Sequence, residues 1–258
     1  MSDKFHFLDT HYSDGLLTIT LRRPPLNVLN MALFDELSRV LAVAAEDASL
    51  RLLLLTGEGT KFFSAGVDIA EHEAAQVADM LAAFHGVVRR LRDFPLPTVA
   101  ALNGSALGGG LELVLACDLR VAAADALLGQ PEIRLGVFAP VAAILLPRLL
   151  PSALAHELLF SGGTLTADEA RHYGLLNRVF PAAQFAAGLA AFVQPLCVLS
   201  RAAQMQNKRA IRAAEGMAFD AALVALERRY LDELMATRDA HEGIAAFLDK
   251  RAPCWTHR

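Results

Sequence analysis

Two glutamates, Glu112 and Glu132, stand 20 positions apart, each in a stretch rich in glycine and apolar residues. The first lies within NGSALGGGLELVLACD, residues 103–118, directly after Gly108, Gly109 and Gly110 in a row. A carboxyl flanked by apolar residues and lacking a charged partner holds its proton more tightly than usual, which suits acid–base chemistry. The glycines let a ligand approach the main chain closely, and free N–H groups at a helix start attract negative charge. A second stretch, FFSAGVDI at residues 62–69, also follows an apolar run with small residues, a glycine and an acid. Two such loops can each offer one backbone N–H to a single oxygen, the geometry of an oxyanion hole. The third stretch, LGQPEIRLG at residues 128–136, carries Glu132 just after Pro131. Taken alone, a triple glycine serves tight helix–strand packing equally well, and a single glutamate is usually a surface charge. The glycine spacing matches neither the dinucleotide fingerprint, the phosphate loop nor the nucleophile elbow.

The elements that must position these residues alternate. LLTITL, residues 16–21, reads as a strand after the turn Ser13-Asp14-Gly15. Asn30 is placed to cap a helix whose apolar face is Leu33, Leu37, Val40, Leu41 and Ala44. RLLLLT (51–56), TVAAL (98–102) and LRVAAA (119–124) read as strands, with a helix over 74–92 and a short one over 111–117. From Val141 onward the pattern is mostly helical, with a capping box at Thr166 and Glu169 and a stop at Gly174. The expected class is α/β, divided into a core over residues 1–195 and a helical C-terminal region over 196–258.

Composition narrows the function. The chain has 258 residues, 54% of them hydrophobic, enough for a large core and an oligomer interface. A net charge of −4 gives no basic field for nucleic acid or anionic lipid. Cys117, Cys197 and Cys254 are too scattered for a disulfide framework or a metal site, and the eight histidines show no metal spacing. No apolar run reaches membrane-spanning length, and the first ten residues lack the marks of a targeting segment. The expectation is a cytoplasmic protein with no metal, no nucleic-acid partner and no membrane partner.

The combination of A-G-x-D, G-G-G-x-E and Q-P-E, with the opening RRPPLNVLN (22–30) and the ending AFLDKR (246–251), resembles the crotonase superfamily of enoyl-CoA hydratases and isomerases. The resemblance covers nearly the whole chain. It implies a crotonase spiral of ββα units with a C-terminal α-helical region, assembled as a homo-trimer or homo-hexamer. It implies an acyl-CoA thioester as substrate and no cofactor, coenzyme A being part of the substrate. The backbone N–H groups of Val67 and Gly109 would form the oxyanion hole. Glu112 would orient and deprotonate water, and Glu132 would supply the proton. Ala65, Gly66, Asp68, Ile69 and Ala70 would line the coenzyme A site, with Phe247 and Lys250 reaching it, often from a neighbouring subunit. His72 is close to this loop, but a solvated loop histidine is the plainer reading.

One departure concerns the acyl group. Many hydratases of linear substrates follow Q-P-E with L-G-x-x-P-G-x-G-G, whereas this chain has LGVFAPVAAILLP, residues 135–147. Phe138 and Val141 would make a bulkier, less polar wall. This looks like the branch that hydrates cyclic dienoyl-CoA, the cyclohexa-1,5-dienecarbonyl-CoA hydratases. The alternatives on the same scaffold are an isomerase, a thioester hydrolase or a non-catalytic acyl-CoA-binding member.

Overall fold

The computed structural model describes residues 5–258. β1 (Leu8–Ser13) and β2 (Leu16–Leu21) form an antiparallel hairpin, and α1 (Met31–Glu46) follows, capped by the Asn30 side chain accepting from the Leu33 N–H at 3.0 Å. The chain then takes one path three times. β3 (Leu52–Gly57) and β4 (Phe62–Ser64) lead to α2 (Val77–Arg92). β5 (Thr98–Leu102) and β6 (Ser105–Leu107) lead to α3 (Gly109–Ala116). β7 (Leu119–Ala123) and β8 (Leu127–Gly129) lead to α4 (Pro140–Leu149). After α5 (Ser152–Ser161) come β9 (Thr164–Thr166), α6 (Ala167–His172) and β10 (Arg178–Phe180). Helices α7 (Phe185–Cys197), α8 (Arg201–Ala214), α9 (Phe219–Arg229) and α10 (Arg238–Leu248) complete the chain.

In each ββα unit the first strand enters a large sheet, ordered β1-β2-β3-β5-β7-β10, and the second enters a small one, ordered β4-β6-β8-β9. The large sheet is buried on both faces, which is why its central strands read as continuous apolar runs rather than alternating ones. Leu53, Leu55, Ala100 and Ala122 face the core shared with α1, α2 and α3. Leu52, Leu54, Val99 and Val121 face a second cluster that includes Val193 and Cys197 of α7. The division at residues 195/196 therefore falls inside a helix that packs on the sheet. The later helices are tied to the core at Asp118, which meets Lys208 Nζ at 2.6 Å and Arg212 at 3.0 Å.

Three local readings shift. The helix expected from residue 74 begins at Val77: residues 74–76 form a turn in which the Gln76 and Val77 N–H groups both donate to Glu73 O, after a separate 3-10 turn over Ile69–His72. The helix expected over 111–117 starts at Gly109, so the glycines form its first turn. β9 and β10 interrupt the stretch read as mostly helical. At three residues each they are too short to show alternation. Among the described residues, no single helix is long and apolar enough to cross a membrane.

Candidate active site

Each of the three motifs begins where a strand of the small sheet stops. β4 ends at Ser64, β6 at Leu107 and β8 at Gly129. These strands are parallel, so their carboxyl ends lie together. The Gly108 N–H donates to Gly129 O at 2.9 Å and extends the ladder one step into the loops. The loops surround a cavity of about 430 Å³, which takes Ala65, Gly66 and Val67 from the first, Gly108, Gly109 and Glu112 from the second, and Pro131 and Glu132 from the third. That volume suits a small-molecule site.

The first loop is held by the RRPPLNVLN segment. The Leu29 N–H donates to Gly66 O and the Asp68 N–H to Leu29 O, both at 2.8 Å. Alternate amides of an extended chain point opposite ways, so the Val67 N–H between them faces the other side. Gly109 opens α3, where the first-turn amides have no partner within the helix. The two are in contact: a Cβ on Gly109 would stand 2.6 Å from Val67 Cγ2 and 3.5 Å from Val67 N. Among the described residues, neither N–H has an acceptor outside regular ladders. Two unengaged amides side by side at a cavity wall are what an oxyanion requires.

Glu112 is 4% exposed. Its Oε1 accepts the Ala142 N–H at 2.9 Å, so the start of α4 anchors it. Burial, reinforced by the neighbouring Glu132, pushes its carboxyl up to about 7, against the pull of the Ala142 and Val141 amides. Glu132 is only partly buried, and burial again raises it, while His72 pulls the other way. Gln130, 2% exposed, has its side-chain amide against the Glu132 carboxylate; with the nitrogen assigned to that side, it donates to Oε1 at 3.0 Å and Oε2 at 2.8 Å. Two neighbouring carboxyls that both resist ionisation are suited to supply an acid and a base in one site.

The other expected residues divide. Ile69 joins Ala65 and Gly66 at the cavity wall. Asp68 does not: its Oδ2 pairs with Arg23 at 3.2 Å, so it braces the loop. Ala70 is exposed in the 3-10 turn and takes no part in the wall. Phe138 lines the cavity at its rim and is 73% exposed. Val141 is a correction. It is buried in the core at the start of α4 and presents its amide to Glu112, and the wall is built instead by Leu135, Val137, Phe138, Ala139 and Pro140. Phe247, 83% exposed, and Lys250 lie at the end of α10, outside the cavity wall of this chain.

Sequence reasoning assigns no role to Gln130 or His85, and it reads His72 as a solvated loop histidine. His72 belongs to the cavity, with Nδ1 3.1 Å from Asp68 O. Its signal was its place one turn after the A-G-x-D acid. Gln130 was visible as the one polar residue between Gly129 and Pro131. His85, on the α2 face with Val77, Met80, Leu81 and Phe84, also lines the cavity and left no mark in the motifs.

A family model described as enoyl-CoA hydratase/isomerase matches residues 11–258. The chain is 41% identical over 246 residues to the cyclohexa-1,5-dienecarbonyl-CoA hydratase of Thauera aromatica, covering 95% of each protein. It is 38% identical over 244 residues to the 2,3-dehydroadipyl-CoA hydratase of Escherichia coli strain K12, covering 92% of this chain and 94% of that one. The crystal structure of an enoyl-CoA hydratase from Bacillus anthracis shares the fold with a TM-score of 0.93 and 32% identity, covering 98% of this chain and 100% of that one.

Proposed function

The chain belongs to the enoyl-CoA hydratase/isomerase family, and from that premise we propose that it adds water across the α,β double bond of an acyl-CoA thioester. The observation that carries this reading is the pair Glu112 and Glu132 on one cavity beside the Val67 and Gly109 amides. Water attacks Cβ, and negative charge develops on the thioester oxygen. The two amides stabilise that oxygen, a contribution of about 10²–10³ in rate per donor in comparable sites. Glu112 orients the water and takes its proton, and Glu132 delivers a proton to Cα. The addition changes no net oxidation state and calls on no redox partner. Coenzyme A serves as the handle, and its remote binding energy holds the acyl end in place. An isomerase or thioester hydrolase on this scaffold would leave one glutamate without a task.

The favoured acyl group is a cyclic dienoyl. The similarity to the Thauera aromatica enzyme supports it, as does the glycine-poor wall of Phe138, Ala139 and Pro140. Such a substrate fits a role in the breakdown of aromatic compounds. The working form is a cytoplasmic homo-trimer or homo-hexamer. The apolar surface left on and after α9, where Leu223, Tyr230 and Leu231 are exposed, supports assembly. In it Phe247 and Lys250 would reach coenzyme A on a neighbouring subunit. The test compares kcat/KM for crotonyl-CoA and cyclohexa-1,5-dienecarbonyl-CoA. Hydration of both, with the ring preferred, is expected. A preference for crotonyl-CoA would overturn the cyclic reading, and hydration of neither would overturn the activity.

A further inference from the structure

The polar side chains on the cavity wall are Glu112, Glu132, His72 and His85. Three of them are engaged: Glu112 by Ala142, Glu132 by Gln130 and His72 by the Asp68 carbonyl. His85 is not. Its Nε2 is covered by protein and has no hydrogen-bond partner among the described residues. It sits on α2, on a wall that is otherwise Val77, Met80, Leu81 and Phe84.

A hydrocarbon acyl group needs no imidazole there, and covering one of its ring nitrogens without a partner costs free energy. We propose that His85 selects an acyl group bearing a neutral oxygen, a hydroxyl or oxo substituent, beyond the carbons that react. The proposal rests on the acyl-CoA reading of the cavity. No hydrogen bond fixes the present orientation of the ring, so a change of side-chain rotamer can bring Nε2 to a ligand without breaking one. The imidazole is also held uncharged: burial lowers its pKa, and Arg89 one turn along α2 lowers it further. A neutral imidazole offers one donor and one acceptor, which matches a hydroxyl or carbonyl rather than a carboxylate.

The experiment measures binding of cyclohexanecarbonyl-CoA and its ring-hydroxylated positional isomers by calorimetry. Only isomers with the hydroxyl on ring carbon 3 or 4 are used; being saturated and lacking a β-hydroxyl, they can be neither hydrated nor dehydrated, so the result does not depend on catalysis. One hydroxylated isomer is expected to bind about tenfold tighter than the unsubstituted thioester, the worth of one ordinary hydrogen bond. In His85→Leu the preference falls to about one, while His85→Gln, which keeps a donor and an acceptor, retains part of it. Equal affinities across the isomers in the wild type, or a preference that survives in both variants, would overturn the proposal. Hydration of crotonyl-CoA by the same wild-type preparation tests the underlying activity separately.

Discussion

Gly108 and the Glu132 carboxylate are so close that a Cβ on Gly108 would stand 2.8 Å from Glu132 Oε1. Gly108 also has φ 55° and ψ −131°, a conformation that L side chains rarely adopt. The residue that begins the glycine run thus sets the position of the second glutamate. Gly108→Ala is expected to lower kcat by about 10²-fold or more, the share of a displaced acid–base group, while acyl-CoA binding persists. Steady-state kinetics beside a binding isotherm checks this. A wild-type kcat would remove Glu132 from the reacting atoms.

Glu112 carries a pH signature in stability. Its folded pKa of about 7 lies above the ordinary 4.5, so the folded state holds the proton more tightly than the unfolded state. The group's contribution is full below the unfolded pKa and is lost as pH rises to about 7, on the order of 3 kcal/mol. Glu112→Gln has no such proton to lose. Relative to wild type, the variant is expected to gain stability between about pH 5 and about pH 8 in urea unfolding. Parallel stability profiles for the two proteins would contradict the assigned burial.

Phe138 is placed to act on substrate rather than on folding. At 73% exposure its loss removes little packing, so Phe138→Ala should change stability by about 0.5 kcal/mol or less. Its kcat/KM for the cyclic dienoyl-CoA is expected to fall roughly 10–200-fold more than for crotonyl-CoA, the range of one hydrophobic pocket contact. Equal losses on both substrates would reject a ring-shaped rim.

The motifs were legible because each rests on local constraints. The Gly108–Gly110 run, the capping Asn30 and the Thr166–Glu169 capping box are dictated by backbone geometry within a few residues, and all three stand where the sequence put them. The placement of Val141 and the partner of Asp68 have the opposite origin. Spacing placed Val141 near the reacting carbon, but the rotation of α4 turns its side chain into the core. The Asp68 side chain pairs with Arg23, 45 positions away, a long-range relation that spacing does not show. His85 depends on how α2 packs along the cavity, a tertiary relation that no local pattern encodes.

Assembly is checked at Leu231, 67% exposed on the turn that extends α9. Multi-angle light scattering is expected to show a trimer or hexamer for the wild type and a smaller species for Leu231→Glu. A monodisperse wild-type monomer would exclude subunit-crossing roles for Phe247 and Lys250.

The most direct test of the central claim follows oxygen. Crotonyl-CoA is incubated with the enzyme in water enriched in oxygen-18, and the products are read by mass spectrometry. The account predicts 3-hydroxybutyryl-CoA carrying the heavy oxygen on Cβ, with its thioester intact, and almost none from Glu112→Gln or Glu132→Gln. Free coenzyme A with a labelled carboxylic acid, or a shifted double bond without label, would contradict it.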